Sequence, residues 1–334
     1  MSGPLDRVKR IASHLTVAGS ANSETASLLA DVLIVGGGVI GVATAYALCK
    51  SRSDLKVVLL EAGQFGAVNS SSNGDSRMYR ELYSSEYCSV MQTEALKLWH
   101  ELEQESGQQL LKRHGLLFYG DTDTGETVQG MLLFENGAGT IKAKEAVAAM
   151  LKLAQQAGLH IVQGEHLTCL SVLAADQVAV QTSEGRTIMT KRLGLTVGAW
   201  TNDVLAHLGM ELPLDIWKVH WATTMLTQQS RIQYLSGTRL ASSSQIPEMK
   251  ACTMGSLQKV LSLLSRLVLT LRRMHNFSYK PDAMVAASLD TFLRAEWNGF
   301  LQRRDLHCSP YTMTADGMFI LDQLPGFPQI SLFT

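Results

Sequence analysis

Apolar residues first fall into an unbroken run at Val32, Leu33, Ile34 and Val35, the pattern of a short parallel strand covered on both faces. A second run, Lys56 to Leu60, closes on Glu61, so the chain opens on a strand–helix–strand unit. The polar, glycine- and serine-rich stretch Gly63 to Gly74 reads as a loop. Tyr87, Met91, Ala95, Leu98, Trp99 and Leu102 then recur at three- and four-residue steps, which predicts one amphipathic helix stopping at Gly107. Leu116 to Tyr119 reads as a strand. Lys142 to Gln156 reads as a second helix, with Ala146, Met150, Leu151 and Ala154 as its stripe, and a short strand follows at His160 to Val162. Gln177 to Gln181 and Thr187 to Thr190 flank Ser183, Glu184 and Gly185 as a hairpin, and Leu193 to Val197 runs as a strand into Gly198, Ala199 and Trp200.

From Trp217 the pattern changes to alternation, with Trp217, Val219, Trp221 and Met225 on one face and Lys218, His220 and Thr224 on the other. That predicts a half-buried antiparallel strand in a second domain. In the leucine-rich run from Arg231 to Arg273, the spacing of Leu261, Leu264, Val268 and Leu271 suggests a helix. Pro281 opens another, with Val285, Leu289, Phe292 and Trp297 facing inward, and the last apolar strand is Ile330 to Phe333.

The first strand runs directly into Gly36, Gly38 and Gly41, which fit GxGxxG. Gly36 permits the tight turn, Gly38 lets backbone approach a pyrophosphate, and Gly41 lets the new helix lie close on the strand. The helix start, including Val39 and Ile40, directs free N–H groups and a positive dipole end at phosphate. Glu61 follows twenty residues after Gly41, where a carboxylate takes the ribose hydroxyls of an adenosine. The pattern predicts dinucleotide binding without separating FAD from NAD, which share the ADP half.

Composition narrows the function class. A chain of 334 residues with 46% hydrophobic content accommodates two intergrown domains. The formal net charge is -1 and no run of five like charges occurs, so no charge pattern points to nucleic acid or an anionic membrane surface. Cys49, Cys88, Cys169, Cys252 and Cys308 include no CxxC pair, which favours a reducing compartment over a disulfide framework or zinc site. No apolar stretch has the length and freedom from charge of a membrane span; Val260 to Leu271 is short and carries Arg266. DTDTGE at Asp121 reads as a solvated turn, because its glycine comes one place early for a calcium loop and the closing glutamate is missing. HExxH, GxSxG and GxxxxGK[ST] are absent, so the simplest metal-hydrolase, serine-hydrolase and P-loop readings fall away.

Five blocks occur in order: VGGGVIGVATAYAL, GDSRMYRELY, GLLFYG, LTVGAWTNDVL and YTMTADGMFILD. In order and spacing the chain resembles the monomeric sarcosine oxidase and L-pipecolate oxidase group of FAD-dependent amine oxidases, over roughly Asp31 to Met225 and His307 to Thr334. The resemblance implies an α/β fold, with a Rossmann-like FAD-binding domain on a parallel sheet intergrown with a smaller α+β substrate domain on an antiparallel sheet. It assigns 31–110, 140–212 and 305–334 to the FAD domain and 111–139 and 213–304 to the substrate domain, with 1–30 as a flexible extension.

The implied activity is oxidation of a secondary amino acid, N-methylated or cyclic, to its imine, with FAD as cofactor and molecular oxygen yielding hydrogen peroxide. The implied FAD-binding residues are Gly36, Gly38, Val39, Ile40, Gly41, Glu61, Ala62, Ser76, Arg77, Gly198 and Trp200. Arg77 lies by the flavin, Arg80 anchors the substrate carboxylate, and Tyr311 faces the substrate. Many relatives tether FAD through a cysteine; that position is Ser309 here, with Cys308 one place earlier and Pro310 intervening, so non-covalent FAD is preferred over a Cys308 thioether. The remaining implications are a monomer with an amino acid substrate, no metal, no nucleic acid and no membrane, in the cytoplasm or the peroxisome, although Leu332, Phe333 and Thr334 form no peroxisomal address. The family pattern departs at three places: Gly120 passes almost directly to Phe134, neither Lys250 nor Lys259 sits in the oxygen-activating motif, and a closing glycine-rich segment would follow Thr334. Two other readings stay open, an inactive truncated remnant and a flavin dehydrogenase with a different electron acceptor.

Overall fold

The computed structural model describes residues 27–67, 69–81, 83, 85–119, 132–232, 260–271 and 277–334. The extension before residue 27, the DTDTGE run, Lys250 and Lys259 lie outside the described residues. In chain order the elements begin with β1 (Leu28–Val35), α1 (Val39–Ser51), β2 (Val57–Glu61), β3 (Ser76–Tyr79), α2 (Glu86–Ser106), β4 (Leu111–Arg113), β5 (Leu116–Tyr119), β6 (Leu132–Glu135) and β7 (Gly139–Lys142). They continue with α3 (Ala143–Gln156), β8 (His160–Gln163), β9 (Leu167–Ala174), β10 (Gln177–Thr182), β11 (Thr187–Leu195), α4 (Thr201–Leu205), β12 (Asp215–Ile232), β13 (Val260–Leu271), α5 (Ala283–Glu296), β14 (Trp297–Met313), β15 (Leu321–Leu324) and β16 (Phe327–Phe333). Two compact units result, one from Met1–Phe65, Ala154–Leu212 and Phe319–Thr334, the other from Gly66–Leu153 and Pro213–Met318.

The first unit is built on one sheet in the order β15-β16-β11-β1-β2-β8, with the β9–β10 hairpin joined through β10 to β11. The pairs β1–β2, β2–β8, β1–β11 and β11–β16 are parallel. β1 is central because its run is apolar on both sides: Leu33 and Ile34 are fully buried and Val35 nearly so. Each such side chain contributes about 1.5–3 kcal/mol on burial. β11 changes partner along one edge, pairing with β10 at Thr187–Thr190 and with β16 at Leu193–Leu195. The hairpin expected around Ser183 to Gly185 forms, with Gly185 at positive φ.

The second unit holds two antiparallel three-stranded sheets, β13-β12-β14 and β3-β7-β4, and the β5–β6 pair. Two sequence expectations are corrected there, and one question the pattern left open is answered. The run predicted as a helix through Leu261 and Leu271 is β13, antiparallel to β12 with Leu264 opposite Trp221; a dense leucine run fits both periods, and pairing with the neighbouring strand decides. The helix after Pro281 begins at Ala283, because the Asp282 carboxylate accepts from the Met284 and Val285 N–H groups as its cap, and it ends at Glu296, so Trp297 opens β14. On β12 the buried face is the polar one: Lys218 and His220 are buried, whereas Trp217 and Val219 are only half-buried. Helix α2 stops at Gly107 in the left-handed region as predicted, yet of its apolar stripe only Leu102 is fully buried, while Tyr87 and Leu98 stand exposed.

Candidate functional site

In the first unit, β1 delivers the chain into a turn that only glycine can make. Gly36 has φ 104, and a Cβ there would sit 2.5 Å from the Thr196 carbonyl oxygen. At Gly41 a Cβ would come within 1.8 Å of the Gly36 carbonyl oxygen and 2.7 Å of Thr196 Oγ1, so α1 lies against the turn with no room for a side chain. Gly38 is the N-cap of α1 in extended backbone; no side chain caps the helix and no acidic residue stands in its first turn. Val39 and Ile40 open the first turn of this 13-residue helix, whose positive end lies at the glycine turn.

Glu61, at the end of β2, turns its carboxylate back to this turn. Its Oε2 accepts from the Gly37 N–H at 2.6 Å and its Oε1 from the Gly63 N–H at 2.8 Å. Each oxygen keeps a second lone pair, the acceptor that a ribose hydroxyl requires. Ala62, just beyond, is exposed. Sequence reasoning missed Thr196: its hydroxyl donates to the Gly36 carbonyl at 2.8 Å and to Val35 at 3.0 Å, clamping the turn to the end of β11. A threonine after an apolar strand carries no signal of that task. Gly198 and Trp200 form a 3-10 turn two residues on, with Gly198 at φ 54 and its carbonyl accepting from Thr201 Oγ1 at 2.7 Å. Gly36 and Gly41 leave no room for a Cβ and Glu61 keeps acceptor capacity beside them, an arrangement that fits the ADP half of a dinucleotide.

In the second unit, Arg77 is a clasp. Its guanidinium donates to the carbonyls of Ser76 at 2.8 Å, Ser71 at 2.5 Å and Asn73, gathering the loop before β3. Burial pushes its pKa below the ordinary arginine value. Ser71, also missed from sequence, passes the restraint on: its hydroxyl donates to the Pro310 carbonyl at 2.5 Å. β14 is an edge strand of its sheet, which is where a proline without an N–H is tolerated, and the serine takes the edge carbonyl. The next residue is Tyr311, half exposed and opposite Trp217 on β12. Arg80 lies over the Tyr83 ring, its guanidinium carbon 4.3 Å from the centroid. An offset of three along extended chain puts the two arginines on opposite faces, which accounts for their different partners. Glu81, the neighbour most able to pair with either, binds Arg113 at 3.2 Å.

Cys308 is placed differently from what a flavin tether asks. It is buried, burial raises its thiol pKa, and the thiol donates to the Tyr279 carbonyl at 3.0 Å. In the β12–β14 register it pairs with His220, while Tyr311 pairs with Trp217. The two side chains therefore leave opposite faces of the sheet. Ser309 shares the face of Tyr311, and its hydroxyl is buried with no hydrogen-bond partner among the described residues.

Comparison with known proteins places this geometry. Residues 31–131 match the family model described as FAD dependent oxidoreductase, DAO. That stretch of the chain is similar to the DAO-type FAD-dependent oxidoreductases. It is 30% identical over 222 residues to the peroxisomal sarcosine oxidase of Homo sapiens, covering 57% of this chain and 56% of that protein. To the monomeric sarcosine oxidase of Arthrobacter sp. it is 25% identical over 220 residues, 55% of each chain. The chain thus spans little more than half the length of these relatives. Among solved structures, NikD, an unusual amino acid oxidase essential for nikkomycin biosynthesis, superposes with a TM-score of 0.76 at 22% identity, over 92% of this chain and 89% of that one. The chain shares its fold with NikD, and the glycine turn from Gly36 to Gly41 lies within residues 31–131 that match the family model. No helix among the described residues is long and apolar enough to cross a membrane.

Proposed function

We propose that the protein is an FAD-dependent oxidoreductase that oxidises the C–N bond of a secondary amino acid, N-methylated or cyclic. The observation that carries this reading is the turn in which Gly36 and Gly41 exclude any Cβ at a helix start with no side-chain cap, within a region matching an FAD dependent oxidoreductase family. The substrate loses two electrons and two protons as CH–NH becomes C=N; FAD supplies the acceptor for that pair, and transfer to molecular oxygen gives hydrogen peroxide.

The rest of the chemistry belongs to the chain. The helix start at Gly38, Val39 and Ile40 would hold the pyrophosphate, and Glu61 and Ala62 would border the ribose. Gly198 and Trp200 bring a second stretch of backbone towards the cofactor. Ser76 and Arg77 hold the loop from Ser71 in one conformation. Arg80 offers a planar, permanently charged guanidinium to the substrate carboxylate, with the Tyr83 face fixing its plane. Tyr311 presents its exposed hydroxyl to the amino acid. FAD is held without a covalent bond, in keeping with the direction of the Cys308 thiol. The protein acts as a monomer on a small molecule, and the human peroxisomal relative favours the peroxisome.

Purified protein should carry a yellow chromophore absorbing at about 450 nm, or gain it on titration with FAD. Sarcosine or pipecolate should then bleach it without air and release peroxide in air. Bleaching without peroxide in air would assign a dehydrogenase with another acceptor, and failure to bind FAD would reject the reading.

A further inference from the structure

The face of the β12–β14 pair opposite Tyr311 carries a polar cluster that neither the glycine turn nor the arginine loop uses. Three side chains on that face each bind one segment of backbone. The Cys308 thiol donates to the Tyr279 carbonyl at 3.0 Å, Lys218 Nζ donates to the Lys280 carbonyl at 2.5 Å, and His220 Nε2 accepts from the Asp282 N–H at 3.1 Å. Lys218 is 6% exposed, His220 0% and Cys308 5%, so these groups left water for backbone partners. Burying a lysine and a histidine is costly unless hydrogen bonds offset the loss of water, and here backbone supplies them. The segment they hold ends at Asp282, whose carboxylate caps α5.

We propose that Cys308, Lys218 and His220 are a positioning cluster: by pinning Tyr279, Lys280 and Asp282 to one face of the β12–β14 pair they fix the opposite face, which presents Tyr311, and they do so only while His220 is neutral. The cluster stands on its own geometry; the consequence for substrate rests on the function proposed above.

The protonation requirement follows from the bonds. Nε2 accepts from a backbone N–H, so the ring proton resides on Nδ1, which is buried with no hydrogen-bond partner among the described residues. A second proton would set an N–H against the Asp282 N–H and place a cation beside Lys218. Among the described residues the charged groups that act on His220 are Lys218 from its own strand and Asp282 from the covering segment, and Cys308 stands opposite it on β14. On β13 the register positions beside it, Leu263, Ser265 and Leu267, are uncharged residues. Burial and Lys218 lower the His220 pKa and Asp282 opposes them, so the unfolded or opened chain takes up the proton first. The cluster is therefore intact above the ordinary histidine value of 6.5 and weakens as pH falls below it.

Hydrogen exchange of the full chain, corrected for the intrinsic pH dependence, tests this directly. Between about pH 7.5 and about pH 5 the protection of Tyr279 to Ala287 should fall by about tenfold or more, while Val178 to Thr190 in the other unit keeps its protection. In His220→Gln the side-chain carbonyl can accept the same N–H without titrating, so protection should persist at both pH values. A 4,4′-dithiodipyridine probe, which reacts in acid, should modify Cys308 of the wild type only at the lower pH, and this arm needs no variant. In flavin-loaded enzyme, His220→Gln should flatten the acid limb of KM for the amino acid. Unchanged wild-type exchange and labelling between the two pH values, or full acid sensitivity retained by His220→Gln, would overturn the cluster. Exchange as expected with no turnover at any pH would instead count against the proposed function alone.

Discussion

Gly41→Ala is the smallest change that separates a cofactor turn from an ordinary one. The added Cβ would lie 1.8 Å from the Gly36 carbonyl oxygen, and an ordinary contact begins near 3.4 Å, so α1 must back away by about 1.6 Å (3.4 minus 1.8). Overpacking of this kind costs about 1–3 kcal/mol. Alanine returns about 1 kcal/mol through helix propensity, which leaves a net loss of up to about 2 kcal/mol. For a domain of this size that lowers Tm by up to about 8 °C. The displacement also carries the helix N-terminus off the phosphate position, and loss of one charge-assisted hydrogen bond, about 1.5–3 kcal/mol, weakens FAD by about 10- to 100-fold. Thermal unfolding of the FAD-free protein and flavin titration by fluorescence give the two numbers. Gly158→Ala is the control: Gly158 has φ 99 but nothing within 4 Å of its Cβ, so strain of about 1–2 kcal/mol should lower Tm and leave FAD affinity intact. Refutation is simple to recognise. Either Gly41→Ala binds FAD as tightly as the wild type, or Gly158→Ala weakens it to the same degree.

Three further outcomes are expected. Arg80→Ala removes the proposed carboxylate partner and should raise KM for the amino acid by about 10- to 100-fold with flavin still bound; an unchanged KM would move the anchor elsewhere. Ser71→Ala cuts the link from the Arg77 loop to Pro310 and should lower kcat/KM by about 5- to 10-fold, with Ser71→Thr restoring it; failure of threonine to rescue would reduce the contact to packing. Glu165 accepts from Arg186 at 3.0 Å and from Thr182 at 2.6 Å, and the guanidinium holds its carboxyl below the ordinary 4.5. The unfolded chain therefore takes up the proton first as pH falls, so the stabilisation is complete above 4.5 and lost as pH drops through the lowered value. Glu165→Gln should show a shallower acid limb in urea unfolding, and an unaltered limb would place the acid sensitivity elsewhere.

Local pattern was enough wherever one stretch of chain contains its own physical reason. The run Val32 to Val35, the glycine spacing from Gly36 to Gly41, the hairpin around Gly185 and the helix stop at Gly107 all became what their residues require. Alternation along β12 correctly named a strand and its two faces, because the pleat has period two. Which of those faces lies inward was beyond it. Lys218 and His220 are inside because backbone some sixty residues later offers each a hydrogen-bond partner, and that partner exists only once the chain has folded back. The same holds for Cys308, whose neighbours in sequence suggest a tether while its register with His220 sends the thiol to the other face. Likewise, Leu261 to Leu271 became a strand only by pairing with β12. The sequence by itself determined the glycine spacing of the turn, since the Gly41 Cβ is excluded by the Gly36 carbonyl five residues before it, whereas the clash at Gly36 with Thr196 needed the folded chain. Tertiary structure alone decided burial, facing and the serine and threonine clamps, since each depends on an atom that distant sequence brings within about 3 Å.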